Sequence, residues 1–94
     1  MITISNLRRP GAIYDSSKLA ILGNKITGDI NGRTKGQYIA KSTIKGLTMN
    51  ISVMVINPAT GKYSPAIRNE QEILAGRISN FLNSNGVSHD IRVI

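Results

Sequence analysis

No cysteine and no tryptophan occur in these 94 residues. Without cysteine there are no disulfides, no thiolate metal sites and no thiol nucleophile, which suits a reducing compartment and predicts a cytoplasmic location. Aromatics are reduced to Tyr14, Tyr38, Tyr63 and Phe81, so the core must be built from Ile, Leu, Val and Met. Only 5 acidic residues stand against 12 Lys and Arg. A nuclease needs clustered carboxylates for magnesium, and here Asp29 has no evident partner. The single histidine, His89, rules out a histidine metal triad or a histidine acid–base pair within one chain. No nucleophile-elbow, Walker or dinucleotide-type glycine spacing is present. No apolar run approaches the roughly 20 residues that span a bilayer. The opening MITISNLRRPGA lacks the apolar centre of a secretory signal. A non-enzymatic protein without cofactor, metal or membrane partner is expected.

What is present is positive charge. The net value is +7, and residues 1–65 carry all of it: Arg8, Arg9, Lys18, Lys25, Arg33, Lys35, Lys41, Lys45 and Lys62 against Asp15 and Asp29. Residues 66–94 are balanced. Such a field concentrates anions and speeds their capture. The length suits one domain over residues 1–94, with a core small enough that a homo-oligomer is expected.

Hydrophobic patterning predicts an α+β fold. Ile2–Ser5 alternates as a first strand and is broken by Arg8-Arg9-Pro10-Gly11. Asp15–Leu22 reads as a short helix capped by Asp15-Ser16-Ser17, or as a strand. Asn31-Gly32 carries a type I′ signal, predicting a hairpin over Lys25–Gln37. Tyr38–Ile44 continues as a strand, Lys45-Gly46 turns, and Leu47–Asn57 is the clearest strand, apolar at alternate positions. After the turn Pro58–Lys62, Ser64 and Pro65 are expected to open one amphipathic helix with stripe Ile67, Leu74, Ile78, Phe81 and Leu82. Gly86 ends it. Val87–Ile94 is a last strand with Val87, His89, Ile91 and Val93 on one face, which makes His89 a half-buried residue. The sheet is thus a mostly antiparallel β-meander with one helix packed on one face and a C-terminal strand.

Three groupings are candidates for contact with a polyanion. The segment Asn31–Gln37, with Arg33 and Lys35 and with Lys25 on the preceding arm, combines bases with glycines that let backbone approach a phosphate. Arg8 and Arg9 form an arm of the kind that grips phosphates. Lys41 and Lys45 share the odd register of a strand, with Ile39, and are expected on its uncovered face. Lys62 adds a base at the 58–62 turn. Tyr14, Tyr38 and Tyr63 either stack on bases or close the edges of the core with wet hydroxyls.

The run Asn57-Pro58-Ala59-Thr60-Gly61-Lys62, between a strand and the passage to a helix, resembles the arm-binding domains of tyrosine-type phage integrases. Those domains read DNA with a three-stranded sheet, so the resemblance, spanning residues 47–83, implies DNA binding. The terminal strand Val87–Ile94 departs from that pattern. The leading expectation is a nucleic-acid binder, DNA or RNA, that uses a sheet or hairpin surface on the phosphate backbone. Alternatives are a phage- or mobile-element-type inhibitor or adaptor on an anionic protein surface, a pocket for a small anion, and a self-assembling structural subunit.

Overall fold

The computed structural model describes residues 1–94. Its elements follow the order β1 (Ile2–Arg8), α1 (Ser16–Arg33), β2 (Tyr38–Lys45), β3 (Thr48–Asn57), β4 (Lys62–Pro65), α2 (Arg68–Ser84) and β5 (Ser88–Val93). All strand pairs are antiparallel, in the order β2-β3-β1-β5, with β4 added to β3. Units β1-α1-β2 and β3-α2-β5 therefore each connect parallel strands across an intervening one, giving two interleaved split β-α-β units. β2 occupies one edge of β3 from Thr48 to Val55, so β1 at Met49–Ile51 and β4 at Met54–Asn57 lie in line along the other edge. The molecule is accordingly long, 47 Å against 24 and 21 Å.

The core lies between one sheet face and both helices. Ile2, Ile4, Met49 and Ile51 are fully buried, and Leu19, Ile26, Leu74, Ile78 and Leu82 meet them from the helices. Burying each such side chain stabilises the fold by about 2–3 kcal/mol before the entropy of ordering is counted. The aliphatic core matches the expectation from composition, and the α+β architecture with an antiparallel sheet and a C-terminal strand is as the sequence predicts.

Of the two readings offered for Asp15–Leu22 the helix is the one observed, and it runs on well past Leu22 as α1. Lys25–Gln37 is not a hairpin: Lys25–Arg33 is the second half of α1, and Thr34–Gln37 is the loop after it. Asp15 starts the helix by accepting from the Lys18 N–H at 2.8 Å. The buried residues Leu19, Gly23, Ile26, Thr27 and Ile30 then recur at helical spacing. Asn31-Gly32 signals a tight turn only between strands, and the stripe that argues otherwise begins before residue 25. The glycines lower intrinsic helix propensity, and burial against the sheet overrides them. Left-handed Lys35 (φ 52°) and Gly36 (φ 80°) end the helix.

The start of α2 is also corrected. Ser64 and Pro65 close β4, and the helix begins at Arg68, where the Glu70 carboxylate accepts from the Ile67 N–H at 3.1 Å. Ile67 is exposed rather than part of the buried stripe. Proline is tolerated because Ala66 N–H, the next donor, bonds Val53 in β3, so position 65 faces the open edge. The five strands and two helices also differ from the three-stranded sheet of the integrase domains that residues 57–62 resemble. The turn expected at Lys45-Gly46 falls one residue later, at Gly46-Leu47, and the turn expected over Pro58–Lys62 leads into β4, a strand the patterning does not predict. The helix stop at Gly86 (φ 72°) holds.

The two outer edges of the sheet differ. Along β2, the end of α1 supplies partners: Asn31 Oδ1 accepts from Ala40 N–H at 2.8 Å, and Thr34 Oγ1 accepts from Tyr38 N–H at 3.2 Å. β5 has no such cover.

Candidate functional site

Both helices lie on one face of the sheet, so the other face is open. Strand alternation and register fix what it presents. Thr43 of β2, Asn50 of β3, Thr3 of β1 and Arg92 of β5 form one row across four strands. Within that row, Thr3 Oγ1 donates to Asn50 Oδ1 at 3.1 Å. The row crosses three interstrand gaps, about 14 Å in all. Lys41 and Lys45 flank it on β2, about 13 Å apart along the strand, and both are exposed. Ser52 faces Lys41, and Thr48 faces Lys45.

Arg8 joins this face through an irregularity. Ser5 pairs with Asp90 and Arg8 with Ser88, so β1 carries one extra residue and a bulge. Asn6 absorbs it at φ 54° and donates from Nδ2 to Asp90. Arg8 thereby shares a face with Ser88, Asp90 and Arg92. The open face holds Arg8, Lys41, Lys45 and Arg92 against a single acid, Asp90.

The structure brings together three of the residues proposed from sequence and separates the rest. Arg8, Lys41 and Lys45 share the open face. Lys25 and Arg33 lie on α1, in the opposite layer, and Arg33 is engaged with Asp29 at 2.7 Å. Arg9 sits in the tight turn Arg9–Ala12. Lys35 lies just beyond α1, and Lys62 opens β4. Arg92 was missed because residues 66–94 are neutral overall, although alternation in Val87–Ile94 already sets it opposite Ile91 and Val93. The polar row was missed because Thr, Asn and Ser carry no charge signal.

Two tyrosines are structural. Tyr38 faces the helices and donates to Glu70 Oε2 at 2.6 Å. That bond, then burial, then the Glu70 charge raise the Tyr38 pKa above its ordinary value, opposed by the Arg77 charge. Tyr14 packs against the core. Tyr63, on the open face opposite Ile56, reaches across β3 and donates to the Gly36 carbonyl at 3.0 Å. Met54, Ile56 and Pro65 share that face at the β4 end.

Two further features contain chemical groups. A groove of about 430 Å³ separates the helices, with Ile26, Ile30, Leu74 and Ile78 among its walls and Arg33 and Arg77 also lining it. His89 bonds Ser79 through Nε2 at 2.8 Å and the Val87 carbonyl through Nδ1 at 3.0 Å. A carbonyl can only accept, so Nδ1 carries the proton, and Ser79 donates to Nε2 in the neutral ring. This pair straps α2 to β5 outside the two main grooves. No group of three or more His, Asp or Glu converges. No helix is long and apolar enough to cross a membrane.

Comparison with protein-family models, with curated proteins and with solved structures finds no match for this chain.

Proposed function

We propose that the protein binds nucleic acid without catalysing a reaction, using the open sheet face on the phosphate backbone. The observation that carries this reading is an open sheet face with four bases and one acid, polar along the Thr43-Asn50-Thr3-Arg92 row and apolar only toward β4. Ten of the twelve basic side chains have no ion-pair partner, the exceptions being Arg33 and Arg68. Phosphates supply the partners that the chain lacks, and Thr3, Thr43, Asn50 and Ser52 offer hydrogen bonds to the same backbone. β1 and β3 carry no aromatic on this face, so the reading is of backbone contact, with stacking confined to Tyr63. A cytoplasmic setting accords with a chain that has no cysteine.

The test is fluorescence anisotropy with labelled single- and double-stranded oligonucleotides over a salt series. Affinity should fall linearly with salt on a logarithmic plot. Lys41→Gln with Lys45→Gln should weaken binding about tenfold or more and reduce the salt slope by about two. Lys25→Gln, on the opposite layer, should change little. Equal losses from both sets, or no binding at low salt, would overturn the reading.

A further inference from the structure

The outer edge of β5 is unoccupied, and its backbone phase can be assigned. Met1 and Ile94 exchange both of their main-chain bonds, at 3.0 and 2.9 Å. In an antiparallel ladder the bonded positions alternate, so Ile94, Arg92 and Asp90 direct their N–H and C=O groups toward β1. His89, Ile91 and Val93 direct theirs outward. No side chain of the protein reaches those three donors, unlike the β2 edge with Asn31 and Thr34. β5 also lacks the lysines and proline that commonly blunt an exposed edge.

We propose that this edge pairs with the same edge of a second copy, antiparallel about a two-fold axis at Ile91. Ile91 then exchanges two main-chain bonds with the partner's Ile91, and His89 and Val93 pair with the partner's Val93 and the partner's His89. The side chains between them decide the register. Asp90 faces the partner's Arg92, and Arg92 faces the partner's Asp90, both in non-hydrogen-bonded positions where opposed Cα atoms are only about 4.5 Å apart. Within the chain neither charge has an ionic partner, and Asp90 is held only by Asn6. The neighbouring two-fold registers that keep the bonded phase are unfavourable. Centring at Asp90 sets Asp90 against the partner's Asp90, and centring at Arg92 sets Arg92 against the partner's Arg92. The pattern Asp-Ile-Arg, centred on an outward-bonding Ile, is thus self-complementary in one register.

This inference is independent of nucleic-acid binding and is tested without it. Light scattering and sedimentation over a concentration series should give twice the 10.2 kDa chain mass. Asp90→Arg and Arg92→Asp, made singly, create like-charge pairs and should each weaken dimerisation on the order of tenfold or more. The double exchange Asp90→Arg/Arg92→Asp restores opposite charges and should recover the dimer. Circular dichroism confirms that each variant is folded, and Asn6→Ala controls for loss of the Asp90 contact within the chain. A monomer at every concentration, a dimer indifferent to the single changes, or a double exchange that does not recover it would each overturn the proposal.

Discussion

Gly23 of α1 packs against Ser42 of β2. A Cβ built there would lie 2.6 Å from Ser42 Oγ and 3.0 Å from Ser42 Cβ. Its absence is what allows the helix to settle on the strand. Gly28 and Gly76 are also helical, but a Cβ on either meets nothing within 4 Å. Opposite outcomes follow for one substitution type. Gly28→Ala and Gly76→Ala should each stabilise by about 0.5–1 kcal/mol through helix propensity. Gly23→Ala should destabilise by about 1–3 kcal/mol, because close-packed neighbours must move. Urea denaturation of the three variants distinguishes them. Several residue roles were readable in the sequence, including the cap at Asp15 and the stop at Gly86. Lys41 and Lys45 were also set correctly, because strand alternation alone assigns a face. The bond from Thr3 to Asn50 was not readable, since it joins positions 47 apart through a register that only the folded sheet defines.

At the scale of elements, β2 is tied to α2 by the bond from Tyr38 to Glu70. The neutral phenol donates to the carboxylate, so the folded state favours the protonated tyrosine. Its folded pKa is raised, so this contribution to stability is complete below the unfolded value near 10. It is lost as pH climbs through the higher folded value. Denaturation at pH 9 and at pH 11 should show a fall in stability that is smaller in Tyr38→Phe than in the parent protein. At neutral pH the same variant should lose about 1 kcal/mol, the usual net worth of one hydrogen bond. The fate of α1 explains the main misreading at this scale. Asn31-Gly32 carries a strong short-range hairpin signal, yet Asn31 is helical and spends its side chain on Ala40. Local chemistry proposed a turn, and burial of Leu19, Ile26 and Ile30 against the sheet decided otherwise. The start of α2 was misplaced for a related reason. Ser-Pro is an apt helix opening, but the edge of β3 was available first.

For the whole molecule, the charge surplus does not map onto one surface. The sequence concentrates it in residues 1–65, but the chain passes through both layers within that span, so Lys25 and Arg33 end up behind the sheet. What unites Arg8, Lys41, Lys45 and Arg92 is strand pairing rather than proximity in the chain. Two of the four lie on β2 and one lies in the region that is neutral by sequence. A count of charge along the chain therefore indicates the kind of partner better than the location of contact.

The side chains of Asn31 and Thr34 have a consequence for assembly size. On the proposed β5 pairing, the covered Tyr38–Ala40 stretch of β2 offers no second docking edge, which favours a closed pair over a filament. Removing that cover with Asn31→Ala and Thr34→Val should leave β2 able to accept a β5 from another molecule. The resulting particles should lengthen with concentration in light scattering and electron microscopy, while the parent protein keeps a fixed size.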